Sequence, residues 1–248
     1  MLKLNCDLGE GFGIYRIGED NKIMPYIDMA NLACGFHASD PSHMQESVRL
    51  AKMYGVSIGA HPSYPDLQGF GRRVMQCTPE EIEAFMLYQI GALDAMCRVE
   101  GTKVDYVKPH GALYNQMMKE PLLFESIVHS IAKYNIDLPL VILSTPQSQQ
   151  YEEIAEKYGI RLMYELFADR AYTNEGRLVS RSEKGAVIED ESEVLGRIGR
   201  LLEEGVLESN DGALLHLKAD TLCVHGDTKT ARSLVIALRD MIDAYRDS

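Results

Sequence analysis

Short apolar runs recur along the chain at Leu2–Cys6, Met29–Cys34, Val56–Ala60, Val104–Lys108, Leu138–Leu143, Arg161–Phe167 and Thr221–Val224. Each has strand length and is bounded by polar or turn residues. Between them the apolar residues change to a helical period. Ile82, Phe85, Ile90, Leu93 and Met96 fall on one face of a segment opened by Thr78-Pro79-Glu80-Glu81, which is a capping box with proline in the first turn. Asp40-Pro41 opens a second helix carrying Met44, Val48 and Ala51, and Gly55 stops it. Ile154, Ala155 and Tyr158 lead to a stop at Gly159, and Ala231, Leu234, Leu238, Met241 and Tyr245 line the last helix. Strands alternating with helices imply right-handed crossovers and a parallel sheet. About seven such units in 248 residues fit a parallel β/α barrel better than an open sheet. Two stretches break the rhythm. The segment 175–189 is polar, and Asn210-Asp211-Gly212 ahead of the alternating run Ala213–Leu217 reads as a small hairpin. No linker or repeat divides the chain, so residues 1–248 are expected to form one domain.

Composition narrows the function classes. Lys and Arg number 25 against 37 Asp and Glu, a net charge of −12, which argues against nucleic acid as a partner. Apolar residues at 46% and charged residues at 25% are a globular balance, not that of a disordered chain. The opening residues lack the basic-then-apolar profile of a signal peptide, and the run Leu140–Leu143 is far too short to cross a membrane. The 5 cysteines are scattered without a CxxC pair, which suits reduced, mostly buried thiols in a cytoplasmic protein.

The informative feature is where polar residues fall. The first strand runs into Asp7 and Glu10, the second into His37, and the third into His61. The fourth ends at Lys108 and His110, the sixth carries Glu165 and leads to Asp169 and Arg170, and the last runs into His225 and Asp227. In a parallel barrel the C-terminal strand ends share one face and build the site, so these residues should converge around one mouth. His43, His129 and His216 are not at strand ends and read as structural or exposed. His61–Asp66 and Gly69–Arg73, a long loop with two prolines and the adjacent Arg72 and Arg73, read as a lid or a carboxylate clamp over that mouth.

Imidazoles with carboxylates suit either a divalent-metal hydrolase or a metal-free general acid–base site. The glycines of 9–13 match neither GxGxxG nor the GxxxxGK[ST] phosphate loop. Ser63 and Ser144 lack a nucleophile elbow. These patterns lead to a small-molecule hydrolase or transferase and no further.

The stretches NCDLGEGFG (5–13), NLACGFHASDP (31–41), GAHPSYPDLQGFGRR (59–73), VKPHGALYN (107–115), ELFADRAY (165–172), LVSR (178–181) and CVHGD (223–227) resemble the LamB/YcsF family over essentially the whole length. The resemblance implies a seven-stranded β/α barrel of the glycoside hydrolase/deacetylase type. It also implies ATP-dependent opening of 5-oxo-L-proline to L-glutamate together with B and C subunits. With no phosphate loop here, ATP would bind on one of those partners or at an unfamiliar site. A homo-oligomer is left open. The relation to metal-dependent deacetylases makes Asp7, His37 and His61 candidate metal ligands. For the reaction itself, Asp7 or Glu10 is expected as base for water, His61 and His110 as groups that polarise or protonate the amide, and Lys108 as the neutraliser of developing charge. Arg72, Arg73 or Arg170 would hold the substrate carboxylate, with His37, Glu165, Asp169, His225 and Asp227 lining the binding site. The competing readings are a metal-dependent deacetylase or amidohydrolase acting alone, and a non-catalytic lactam-binding subunit.

Overall fold

The computed structural model describes residues 2–225 and 231–246, with His225 described only in its backbone. Strands β1 (Lys3–Leu8), β2 (Met29–Ala33), β3 (Ser57–His61), β4 (Tyr106–Val107), β5 (Leu140–Leu143) and β6 (Leu162–Phe167) come in that order around the barrel. A two-stranded antiparallel ribbon, β7 (Val206–Glu208) and β8 (Leu214–His216), follows. Strand β9 (Thr221–His225) then enters between β6 and β1 and closes a seven-stranded parallel barrel. The ribbon is the hairpin anticipated at Asn210-Asp211-Gly212. Eight α-helices are described: α1 (Asp20–Ile23), α2 (Pro41–Tyr54), α3 (Pro79–Val99), α4 (Gly111–Met117), α5 (Pro121–Tyr134), α6 (Gln149–Lys157), α7 (Glu191–Glu204) and α8 (Ala231–Arg246). None is long and apolar enough to cross a membrane.

Local chemistry explains the ends of these elements. The Asp40 carboxylate accepts from the Ser42 and His43 amides at the start of α2, and Gly55 closes it in the left-handed conformation at φ 68°. Thr78 and Glu81 form the expected reciprocal capping box on α3. Helix α3 buries Ile82, Met86, Ile90 and Leu93, and α5 buries Phe124, Ile127, Val128 and Ile131. Each such side chain contributes about 1.5–3 kcal/mol of burial, an upper bound against an extended chain.

Strand alternation sorts the residues between two environments. Leu4, Cys6, Leu8, Leu32, Ile58 and Ala60 belong to the apolar layer shared with the helices. Met29, Tyr106, Val141 and Met163, from four strands, form a separate apolar cluster that plugs the barrel interior. Tyr106 occupies the space a side chain at Gly59 would need, so glycine at that position lets the ring cross the barrel. Past this plug the interior turns polar, and the site begins there.

Candidate active site

Residues of alternate parity on β1, β2, β4, β6 and β9 meet in one buried network. Asn31 Nδ2 donates to Asn5 Oδ1 and Asp7 Oδ1, both at 2.7 Å, while its Oδ1 accepts from the Tyr106 hydroxyl at 2.7 Å. Asn5 Nδ2 donates to Glu165 Oε1 at 2.9 Å and Thr221 Oγ1 at 2.8 Å. Lys108 Nζ sits between Asp7 Oδ1 at 2.9 Å and Glu165 Oε1 at 2.8 Å, and Tyr114 donates its hydroxyl to Glu165 Oε2 at 2.9 Å. Burial opposes charge on Lys108, but Asp7 and Glu165 outweigh it and hold the ammonium well above its ordinary pKa. Burial pushes the Tyr106 and Tyr114 hydroxyls up, so they stay protonated donors. The network thus sets a fixed cation and Asp7 at the base of a cavity.

Beside it lies a cluster of three histidines and one acid. His61 Nδ1 is 2.7 Å from the Lys108 carbonyl, and His110 Nε2 is 2.9 Å from the Phe70 carbonyl. Carbonyl oxygens only accept, so each of those nitrogens carries its ring proton. The remaining nitrogens, His61 Nε2 and His110 Nδ1, face each other at 2.9 Å, and with both rings neutral they meet as lone pairs. His61 Nε2 is also 3.4 Å from Asp7 Oδ2. His37 stacks on His110, with ring centroids 3.8 Å apart, and its Nε2 lies 3.4 Å from Glu10 Oε1. Neither His37 ring nitrogen makes a hydrogen bond. Burial, followed by the neighbouring imidazoles, pushes His37 and His110 well below the ordinary histidine pKa. Neutral imidazoles with opposed lone pairs are stabilised by a shared cation. Glu10, His37, His61 and His110 offer ligand atoms that all lie within 4.8 Å of one another, so this buried group can hold a metal ion.

Of the expected metal ligands Asp7, His37 and His61, the two histidines fall in this group with Glu10 and His110. Asp7 is bound by Lys108 and Asn31 through Oδ1, and its Oδ2 lies 3.4 Å from His61 Nε2. The loop after β3 packs down on the cluster. Phe70, at φ 54°, presents its carbonyl to His110 and its ring edge-on to both His37 and His110. Gly71 is at φ 64°, and a side chain there would collide with Ser63, His37 and His110.

A cavity of about 550 Å³ opens above these groups, lined by Asp7, His61, Lys108 and His110 below and by Arg72 and Arg170 on its loops. Arg170 is buried and donates from Nε and Nη2 to the carbonyls of Ala186 and Val179. Arg73 is not brought to the cavity: its guanidinium pairs with Asp66 in the same loop. Asp169 is buried next to Arg170 and does not line the cavity. The His225 side chain and Asp227 lie outside the described residues, although the backbone of β9 sets His225 opposite Asp7. His43 pairs with Asp40 at 2.6 Å, His129 is half-buried beside Glu83, and His216 is exposed, in keeping with structural or surface roles.

Sequence reading missed Asn5, Asn31, Tyr106, Tyr114, Arg177 and Arg181. The first three had a signal: polar residues of one parity on strands whose other parity is wholly apolar. The two arginines lie in the polar segment 175–189, where nothing in the spacing sets them apart from a solvated loop.

Residues 2–246 match the LamB/YcsF family. A protein of Chromohalobacter salexigens, named as the A subunit of 5-oxoprolinase, is 53% identical over 240 residues, covering 97% of this chain and 96% of its own length. One of Pseudomonas putida, named as a second 5-oxoprolinase A subunit, is 50% identical over 242 residues, covering 98% and 94%. The crystal structure of a lactam utilization protein from Thermus thermophilus superposes with a TM-score of 0.90 at 43% identity, covering 98% of this chain and 96% of that one.

Proposed function

The chain belongs to the LamB/YcsF family, and from that premise we propose that it is the A-type component of an ATP-hydrolysing 5-oxoprolinase. In this reading it opens the ring of 5-oxo-L-proline to give L-glutamate, in a complex whose B and C subunits supply the coupling to ATP. The observation that carries the reading is full-length similarity to proteins named as 5-oxoprolinase A subunits. The chemistry of the cavity supports it.

A lactam is stabilised by resonance, and attack on its carbonyl concentrates negative charge on oxygen. Lys108 supplies a fixed positive charge where that develops, and it needs no reorganisation because Asp7 and Glu165 already hold it. Asp7 lines the cavity and serves as base for the attacking water, with its Oδ1 fixed by Asn31 and Lys108. Asp7, having taken the proton from water, passes it to the departing ring nitrogen, because the ring protons of His61 and His110 are held by the Lys108 and Phe70 carbonyls. Arg170 and Arg72, which line the cavity, would hold the substrate carboxylate. Glu10, His37, His61 and His110 would hold a divalent ion. Such an ion, when bound, supplies Lewis acidity toward a carbonyl oxygen.

Asp7→Asn in the reconstituted complex should lower turnover by about 10²–10⁴-fold, the usual range for a general base, while circular dichroism shows the fold intact. Near-normal turnover would take Asp7 out of the chemistry.

A further inference from the structure

The floor of the cavity is divided by chemistry as well as by strand. Asp7 of β1, His61 of β3 and the residues just past β4, Lys108 and His110, give it a polar half. Strands β5 and β6 come next around the barrel and end in Leu143 and Phe167, which line the same cavity. Both share the parity of Val141 and Met163 in the interior plug, so strand alternation turns them into the barrel. They are 3% and 4% exposed. In a parallel barrel these strand ends belong to the site, so an apolar pair there is a wall of the site as well as part of the core.

That wall is fixed in place. The Phe167 ring meets Tyr114 edge-on, with centroids 5.9 Å apart at 79°, and Tyr114 is itself tied to Glu165 through its hydroxyl. On another side the Lys108 ammonium lies 5.3 Å from the Phe167 centroid, held by Asp7 and Glu165. Neither the ring nor the cation can retreat without breaking a buried contact. The rest of the cavity does not measure a ring. It amounts to about 550 Å³, and its loop walls include Arg72, Lys119, Arg170, Arg177 and Arg181, which suit charged groups and not methylenes.

We propose that Leu143 and Phe167 are specificity-determining residues, which seat the two ring methylenes of the lactam and set its ring size at five. This rests on the 5-oxoprolinase reading. A lactam of that kind is itself divided, with its amide on one edge and two adjacent methylenes on another. When the carbonyl carbon lies beside Asp7 and Lys108, the methylene bonded to it meets Phe167 and the next meets Leu143. Methylenes have no hydrogen bond to lose on leaving water, so the apolar half of the floor takes them at no polar cost. One further methylene in the ring would have to displace a side chain that its neighbours hold.

The test is a competition in the reconstituted complex with ATP between 5-oxo-L-proline and its six-membered homologue, 6-oxopiperidine-2-carboxylate, read as glutamate against 2-aminoadipate. The unaltered complex should favour the five-membered ring by roughly 10–200-fold in kcat/KM, the range for one methylene in an apolar pocket. Leu143→Ala and Phe167→Leu should each narrow that ratio by about tenfold. Leu143→Val should narrow it less, and it serves where the larger truncation fails to fold. The intrinsic reactivities of the two rings cancel between variants, and a loss of packing alone would lower both rates and leave the ratio where it was. An unchanged ratio in folded variants, or an unaltered complex that takes both lactams equally, overturns the wall and leaves the 5-oxoprolinase reading in place. An unaltered complex of verified assembly that releases no glutamate overturns that reading, and the wall with it.

Discussion

At the scale of single residues, the strongest constraint is the pair of lone pairs that His61 and His110 turn toward each other at 2.9 Å. Their tautomers are set by the carbonyls of Lys108 and Phe70, so neither ring can rotate its proton inward without losing a buried hydrogen bond. Three imidazoles and one carboxylate suit zinc and its first-row neighbours better than magnesium or calcium. The chain purified without chelators should hold close to one such ion per molecule by elemental analysis, and Glu10→Gln or His37→Ala should lose it. Chelation should lower Tm, as removing any ligand selective for the native state does. A chain that takes up no ion, and whose Tm ignores added zinc or manganese, would contradict this assignment. Lys108→Met should destabilise by about 3–5 kcal/mol because it leaves Asp7 and Glu165 buried without their cation. That deficit is to be read by urea denaturation. At this scale the sequence was only partly legible. Asp7, His61, Lys108 and His110 stood out at strand ends, but a polar residue facing a barrel interior, such as Asn31, looks on paper like one facing solvent. Arg73 looked equivalent to Arg72, and only folding of the loop shows that Asp66 takes one of the two.

Elements were more legible, because their ends are decided by local chemistry. The Asp40 carboxylate accepts hydrogen bonds from the amides of Gly13, Ser42 and His43. Those bonds, the Gly13 amide foremost, hold its pKa below the ordinary carboxylate value. A depressed folded pKa stabilises the protein above the unfolded value, near 4, and the contribution fades as pH falls further. Asp40→Ala should cost about 1–2 kcal/mol at neutral pH, and its difference from the unaltered chain should narrow below pH 4. A difference that stays constant with pH would show that the cap contributes nothing through its charge. Gly59→Ala should cost about 1–3 kcal/mol by overpacking against Tyr106, read as a shift in denaturation midpoint. The expected strands all occur, with shifted ends. The first was read to Cys6 but continues to Leu8, since Asp7 points into the barrel while staying paired along the ladder. The fourth shrinks to Tyr106–Val107, ahead of Pro109, which has no amide to donate.

For the whole molecule, alternation of strands and helices already announced a parallel barrel, and the hairpin before β9 fits that reading as a detour before closure. What alternation cannot show is which polar strand ends become neighbours across the barrel. That depends on closure, which pairs β1 with β9 and lets Lys108, just past the fourth strand, reach Asp7 of the first and Glu165 of the sixth. The same closure concentrates cationic loops over one mouth of an acidic protein, an asymmetry hidden in the net charge. In the proposed function this barrel opens a lactam in concert with partner subunits. The direct measurement is glutamate release from 5-oxo-L-proline by the chain alone and with B and C subunits, each with and without ATP. Glutamate is expected only when all three components and ATP are present. No release from any mixture in which assembly of the complex is verified would contradict the account.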